Sequence, residues 1–146
     1  MKCKIDHIVI NAFDVDKMVE FYSGVLQLQT ERLEEFNDQK VPFPSLRLNK
    51  DAIIDLFPKP LWEKTSPPDV CRPNLNHFCL CLDKDSWEDL RKRLSQFNVQ
   101  VDDGPVRRWG AHGSGVSIYF RDPEQNVIEA RYYDQDNADQ PCMLGS

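Results

Sequence analysis

The sequence predicts an α+β fold built from two tandem βαβββ modules. Three observations carry that prediction. The first half of the chain is echoed in the second: Ile5-Asp6-His7-Ile8-Val9-Ile10 reads like Leu75-Asn76-His77-Phe78-Cys79-Leu80, and Ile53-Ile54-Asp55-Leu56 reads like Val127-Ile128-Glu129-Ala130. Each half opens on a strand-like run, passes into apolar residues at helical spacing, and closes on short β-rich runs. A Pro-rich stretch, residues 58–74, separates the halves.

The elements follow in order. Residues 4–11 alternate and are rich in β-branched residues, which predicts a strand. Asp14 stands at an N-cap position, and Val15, Met18, Val19, Tyr22, Val25 and Leu26 then form one helical stripe. Residues 27–35 alternate more weakly and predict a second strand. Pro42 and Pro44 mark a loop before two short strands, 45–49 and 52–57, joined at Asn49-Lys50-Asp51. This completes module one, residues 4–57. Pro58, Pro60, Pro67, Pro68 and Pro73 make the connection 58–74 irregular.

Module two spans 75–133. It opens with a strand at 75–82 and a helix over about 85–97, capped by Asp85 with Trp87, Leu90, Leu94 and Phe97 inward. Strands are expected near 98–102, 115–121 and 126–133. The last two are joined by a turn over 122–126, in which Asn126 can adopt a left-handed conformation at modest cost. Residues 1–133 read as a single domain, and the polar, acidic residues 134–146 as a disordered tail.

Composition excludes several functions. With 146 residues the chain has length for one substantial core. Its 18 Lys and Arg against 24 Asp and Glu leave a net charge of −6, unlike the basic face of a nucleic-acid binder. No apolar run is long enough for a bilayer and no export pattern opens the chain, so a soluble, cytoplasmic protein with no membrane partner is expected. Cys3, Cys71, Cys79, Cys81 and Cys142 are odd in number and form no CxxC pair, which favours free thiols.

Strand parity then sorts the polar residues. Opposite the strongly apolar positions, which must meet the helices, fall His7, Asp55, His77 and Glu129, together with Arg47, Tyr119, Cys79 and Cys81. Two imidazoles and two carboxylates on one inner face are costly unless they are paired or bind a cation. That donor set suits Mn, Fe, Co, Ni or Zn. His7, His77 and Glu129 alone make a two-His-one-carboxylate set with open positions. Asp55 is then a fourth ligand, an acid/base group, or an acceptor for a ligand imidazole. Arg47 and Arg131 either hold an anionic substrate or neutralise Asp55 and Glu129. Tyr119 touches substrate or lines the cavity. His112, among Gly110, Gly113 and Gly115, reads as a lid or a solvated loop residue, and Trp62 and Trp109 as loop residues near the pocket. Arg91-Lys92-Arg93 reads as an exposed helix face.

Four strings carry a resemblance: His7-Ile8-Val9-Ile10, Phe21-Tyr22-Ser23-Gly24-Val25-Leu26, Asn76-His77-Phe78, and Ser117-Ile118-Tyr119-Phe120-Arg121-Asp122-Pro123 running on to Val127-Ile128-Glu129. Over residues 4–133 the chain resembles the vicinal oxygen chelate superfamily of glyoxalase I, fosfomycin-resistance thiol transferases and extradiol dioxygenases. Gly104-Pro105-Val106 and the Ser117–Pro123 run look nearest to its glyoxalase-domain and fosfomycin-resistance-like branch. The resemblance implies curved, partly closed sheet around a metal cavity. It implies His7, His77 and Glu129 as metal ligands, with Asp55 at the position that is Glu in glyoxalase I. Glu129 and Tyr119 become catalytic residues, and Arg47, Tyr119 and Arg131 substrate contacts.

The implied function is a lyase or thiol transferase. It uses a divalent ion (Mn, Ni, Co, Zn or Fe) to chelate a small oxygen-rich substrate, with a thiol as candidate cosubstrate, in a homodimer. An Fe(II) extradiol dioxygenase is the alternative; there position 55 matches a catalytic His that this chain lacks. A non-catalytic small-ligand-binding protein of the same fold is the third reading.

Overall fold

Alternating strands with one apolar face must bury that face against helices, and this chain does so twice. The computed structural model describes residues 5, 7–63, 75, 77–110 and 112–134. It divides into two compact units, 1–72 and 73–146. Unit one holds β1 (His7–Ala12), α1 (Val15–Gly24), β2 (Gln29–Glu31), α2 (Leu33–Asn37), β3 (Ser45–Arg47), β4 (Ile53–Pro58) and α3 (Lys59–Trp62). Unit two holds β5 (Phe78–Cys81), α4 (Lys84–Gln96), β6 (Val101–Gly110), β7 (Gly113–Arg121) and β8 (Val127–Tyr132). The sheets are ordered β1-β4-β3-β2 and β5-β8-β7-β6, the same order twice, and neither closes into a barrel. In each, the first and last strands of the unit run parallel and the other pairs antiparallel. The architecture is α+β, two tandem βαβββ modules.

Helix α1 starts where expected. The Asp14 carboxylate accepts the backbone N–H of Lys17 at 3.0 Å, meeting one of the donors a helix start leaves orphaned. Its stripe buries Val15, Met18, Val19, Phe21 and Tyr22, on the side of the sheet that buries Ile10, Leu46, Ile54 and Leu56. Removing each such side chain from water contributes about 1.5–3 kcal/mol. Unit two repeats the scheme: Trp87, Leu90 and Leu94 of α4 are buried with Phe78, Ile118, Phe120, Ile128 and Ala130. The indole N–H of Trp87 donates to the carbonyl of Ala130 at 2.9 Å, so the ring is both packed and satisfied.

Several expectations are corrected. Within 27–35 only Gln29–Glu31 is strand; Arg32 turns left-handed at φ 58 and leads into α2, whose first turn carries Glu34 and Glu35 at the end that favours negative charge. Helix α4 is capped by Asp83, not Asp85. The Asp83 carboxylate accepts the Ser86 N–H at 2.8 Å, while Asp85 sits in the first turn. Phe97 ends that helix 53% exposed rather than facing the core. The strand expected near 98–102 begins at Val101 and runs on to Gly110. It pairs with β7 through Gly110 and Gly113. The left-handed residue of the 122–126 turn is Gln125 (φ 71). Asn126 instead gives its backbone and side-chain N–H groups to the Asp122 carboxylate at 2.9 and 2.8 Å. Pro60 is tolerated in the first turn of α3, where its missing N–H has no helical partner to lose.

Gly104 (φ 102) sits among the register shifts of β6. A side chain there would collide with the backbone oxygen of Ser117. Most of the expected connection (64–74), the tail (135–146), and Cys3, Cys71 and Cys142 lie outside the described residues, as does the side chain of Trp109. Cys79 and Cys81 are free thiols. Among the described residues no helix is long and apolar enough to cross a membrane.

Candidate functional site

Cross-strand pairing places the polar residues, because paired residues share a face. In unit one Val9 pairs with Asp55 and Asp55 with Ser45, while His7 and Arg47 both pair with Ile53. His7, Asp55, Ser45 and Arg47 therefore lie on the face away from the apolar core, as parity predicts. In unit two Cys79 and Tyr119 both pair with Glu129, and Cys81 and Ser117 with Arg131. This is the matching face of the second sheet.

Glu129 is 3% exposed and Arg131 4% exposed, so their charges sit in a nearly dry environment. One oxygen of Glu129, Oε1, accepts from the Ser117 hydroxyl at 2.6 Å and from Arg131 Nη2 and Nε at 2.5 and 3.2 Å. The other oxygen, Oε2, lies 3.1 Å from His77 Nε2. Burial alone would push the Glu129 carboxyl up; the Ser117 hydroxyl and the Arg131 guanidinium override it and hold the carboxyl below its ordinary range. Arg131 is a firmly held cation: burial disfavours its charge, but hydrogen bonds to Glu129 and the Tyr133 hydroxyl more than compensate.

Tyr119 completes this group. Its ring meets the His77 ring edge-on at 5.7 Å between centroids. Burial, then the Glu129 charge, push its hydroxyl above the ordinary tyrosine value, so it is a proton donor and not a phenolate at neutral pH. Burial of the Cys79 thiol and the nearby Glu129 likewise raise it to about 11, which removes it as a neutral-pH thiolate.

In unit one Asp55, 7% exposed, accepts the Ser45 hydroxyl on Oδ1 at 2.6 Å. The same hydroxyl accepts from Arg32 Nη2 at 3.0 Å. Arg47 lies on the same face. Its guanidinium forks onto both oxygens of Glu31 at 2.7 and 3.0 Å, and Arg47 is the first reason why the Glu31 carboxyl is lowered.

The structure thus brings together His77, Glu129, Tyr119 and Arg131. It sets His7 and Asp55 on one face of the first sheet, and ties Arg47 to Glu31. Among the described residues, no three His, Cys, Asp or Glu side chains gather into a metal-holding group. Trp62 packs edge-on against Phe13 at 4.8 Å and donates to the carbonyls of Phe57 and Ala12. His112 gives its backbone N–H to the Tyr133 hydroxyl at 3.2 Å.

Sequence reasoning passed over three residues: Ser45, Ser117 and Arg32. The signal for the serines was present, since each stands two residues before a flagged one on the same face (Arg47 and Tyr119). Arg32 gave none, because it lies inside what alternation reads as a strand over 27–35.

Comparison with known proteins bears on the family and the fold. Residues 4–130 match the family model described as the Glyoxalase/Bleomycin resistance protein/Dioxygenase superfamily. A glyoxalase domain-containing protein of Mycosarcoma maydis is 35% identical over 134 residues, covering 88% of this chain and 68% of that protein. A virulence protein of Salmonella typhimurium is 28% identical over 131 residues, 89% of this chain and 84% of its own length. The crystal structure of that virulence protein superposes with a TM-score of 0.68 at 27% identity, covering 92% of this chain and 99% of the other. An integron cassette protein from the mobile metagenome of V. Pseudocholerae superposes with a TM-score of 0.71 at 28% identity, covering 92% and 98%. The chain belongs to the Glyoxalase/Bleomycin resistance protein/Dioxygenase superfamily.

Proposed function

We propose that the chain is a metal-dependent glyoxalase-like enzyme, a lyase or thiol transferase, acting on a small oxygen-rich substrate chelated to a divalent ion. The observation that carries this reading is the division of labour at Glu129: Oε1 is saturated by Ser117 and Arg131, while Oε2 faces His77 Nε2 at 3.1 Å. Two donor atoms each about 2.1 Å from one ion at roughly a right angle lie about 3 Å apart, so this pair fits adjacent ligand positions. His7 and Asp55 hold the repeat-equivalent places on the first sheet.

In this reading those four residues hold the ion, of which Mn, Ni, Co, Zn and Fe all suit the donors. Bound there, a divalent ion supplies Lewis-acid stabilisation of oxyanion charge on the substrate. The chain's own groups do the rest. Glu129, with one oxygen fixed and one turned to the site, takes or returns a proton at Oε2. The Tyr119 hydroxyl, kept protonated, donates to a substrate oxygen. Arg131 balances the Glu129 charge and is occupied by it.

The extradiol dioxygenase alternative uses His7, His77, Glu129 and Tyr119 with iron. Asp55, a carboxylate bound to Ser45, stands where that chemistry calls for an imidazole, which ranks it second. The test is turnover. Protein loaded with Mn, Ni, Co or Zn is expected to convert a hemithioacetal, or to add a thiol to an epoxide. Oxygen uptake with catechols under ferrous loading alone, and no thiol-dependent turnover, would transfer the assignment to the dioxygenase.

A further inference from the structure

We propose that Arg32, backed by Phe43 and Phe57, forms an oxyanion subsite beside Asp55 that receives a carboxylate or phosphonate group of the substrate. The inference rests on the reading of a metal-chelated substrate at Asp55 and its partner ligands.

A small anionic substrate needs a guanidinium with donors to give. The two arginines that sequence reasoning offered are engaged: Arg47 forks onto Glu31, and Arg131 is bound to Glu129. Arg32 differs from both. A guanidinium has five N–H donors. Among the described residues its guanidinium makes one hydrogen bond, from Nη2 to the Ser45 hydroxyl at 3.0 Å, and the residue is exposed, open to a ligand from solvent. The Ser45 hydroxyl in turn donates to Asp55 at 2.6 Å, so the guanidinium lies one hydroxyl away from the carboxylate. A substrate held at Asp55 therefore has this cation within the reach of one short substituent.

The guanidinium is also pre-organised. Its central carbon sits 4.5 Å from the centre of the Phe43 ring, and that ring packs against Phe57 at 4.6 Å. Contact with the ring face restrains the guanidinium through its π-face, which a forked oxyanion contact along its edge does not need. The backbone is committed as well: Arg32 is a non-glycine residue at φ 58 and ψ 21, which costs roughly 1 kcal/mol. The neighbouring Glu31 carboxylate is already matched by Arg47, with Arg32 acting on it through charge alone.

A purely bracing role is the rival explanation, in which Arg32 only steadies Ser45 and Asp55. Two probes separate the roles: acetohydroxamate, a chelator with no further charge, and phosphonoacetohydroxamate, the same chelator carrying a phosphonate. Both are titrated calorimetrically into the cobalt-loaded full-length protein, wild type, Arg32→Met and Arg32→Lys. The wild type is expected to prefer the phosphonate probe by about 10- to 100-fold. Arg32→Met should lose that preference and keep its acetohydroxamate affinity, and Arg32→Lys should keep part of it. Should Arg32→Met not fold, the Lys variant carries the comparison, because it retains the charge without the fork. Equal weakening of both probes, or a preference that survives the substitution, overturns the subsite and leaves the metal reading standing. A wild-type protein that binds neither hydroxamate overturns the metal reading and the subsite with it.

Discussion

Glu129 carries a charge into a nearly dry site because Arg131 and Ser117 meet it there. Such a pair adds little net stability over an apolar pair of similar shape, but breaking it leaves a buried charge alone. Arg131→Met should therefore destabilise the protein by about 3–5 kcal/mol in chemical denaturation. Ser117→Ala, which removes one donor to Oε1, should cost about 1–2 kcal/mol. His77, Glu129 and Tyr119 were legible in the sequence, since alternation along a strand fixes the face of each side chain. Which oxygen of Glu129 is taken was not, because that depends on two side chains meeting it from β7 and from its own strand. Arg32 was illegible for another reason: its place follows from a left-handed turn that no periodicity announces.

At the scale of the element, the cap of α4 makes a sharper test than the helix stripe. Asp83→Ala should cost about 1 kcal/mol, and Asp85→Ala much less. The Asp83 carboxyl is held below its ordinary value of 3.8, first by the Ser86 backbone N–H. A group lowered on folding stabilises the native state above its unfolded value and loses that contribution as pH falls through the lower folded one. The Asp83 contribution should thus be fully present above pH 3.8 and fade below it, and Asp83→Asn should flatten that acid limb in melts run from pH 5 downward. Gly104→Ala, which places a methyl group against the Ser117 oxygen at φ 102, should lower stability by about 2 kcal/mol. Long periodic runs were legible here. Short ones were not: a three-residue strand and a five-residue helix each hold too few positions to show a period.

For the whole molecule, the repeat is the organising fact. Two units with one strand order each present a carboxylate, clamped on one oxygen by a serine, on the face away from the core. The internal likeness of 5–10 with 75–80 announced this doubling, and the strand orders repeat it. The metal reading names His7 and His77 as ligands. The direct test is elemental analysis of gently purified wild-type protein beside the His7→Ala/His77→Ala variant, each also reloaded with Mn, Fe, Co, Ni and Zn. A stoichiometric transition metal in the wild type, lost in the variant, is the predicted result; no metal retained by the wild type even after reloading, or equal retention by the variant, would contradict it.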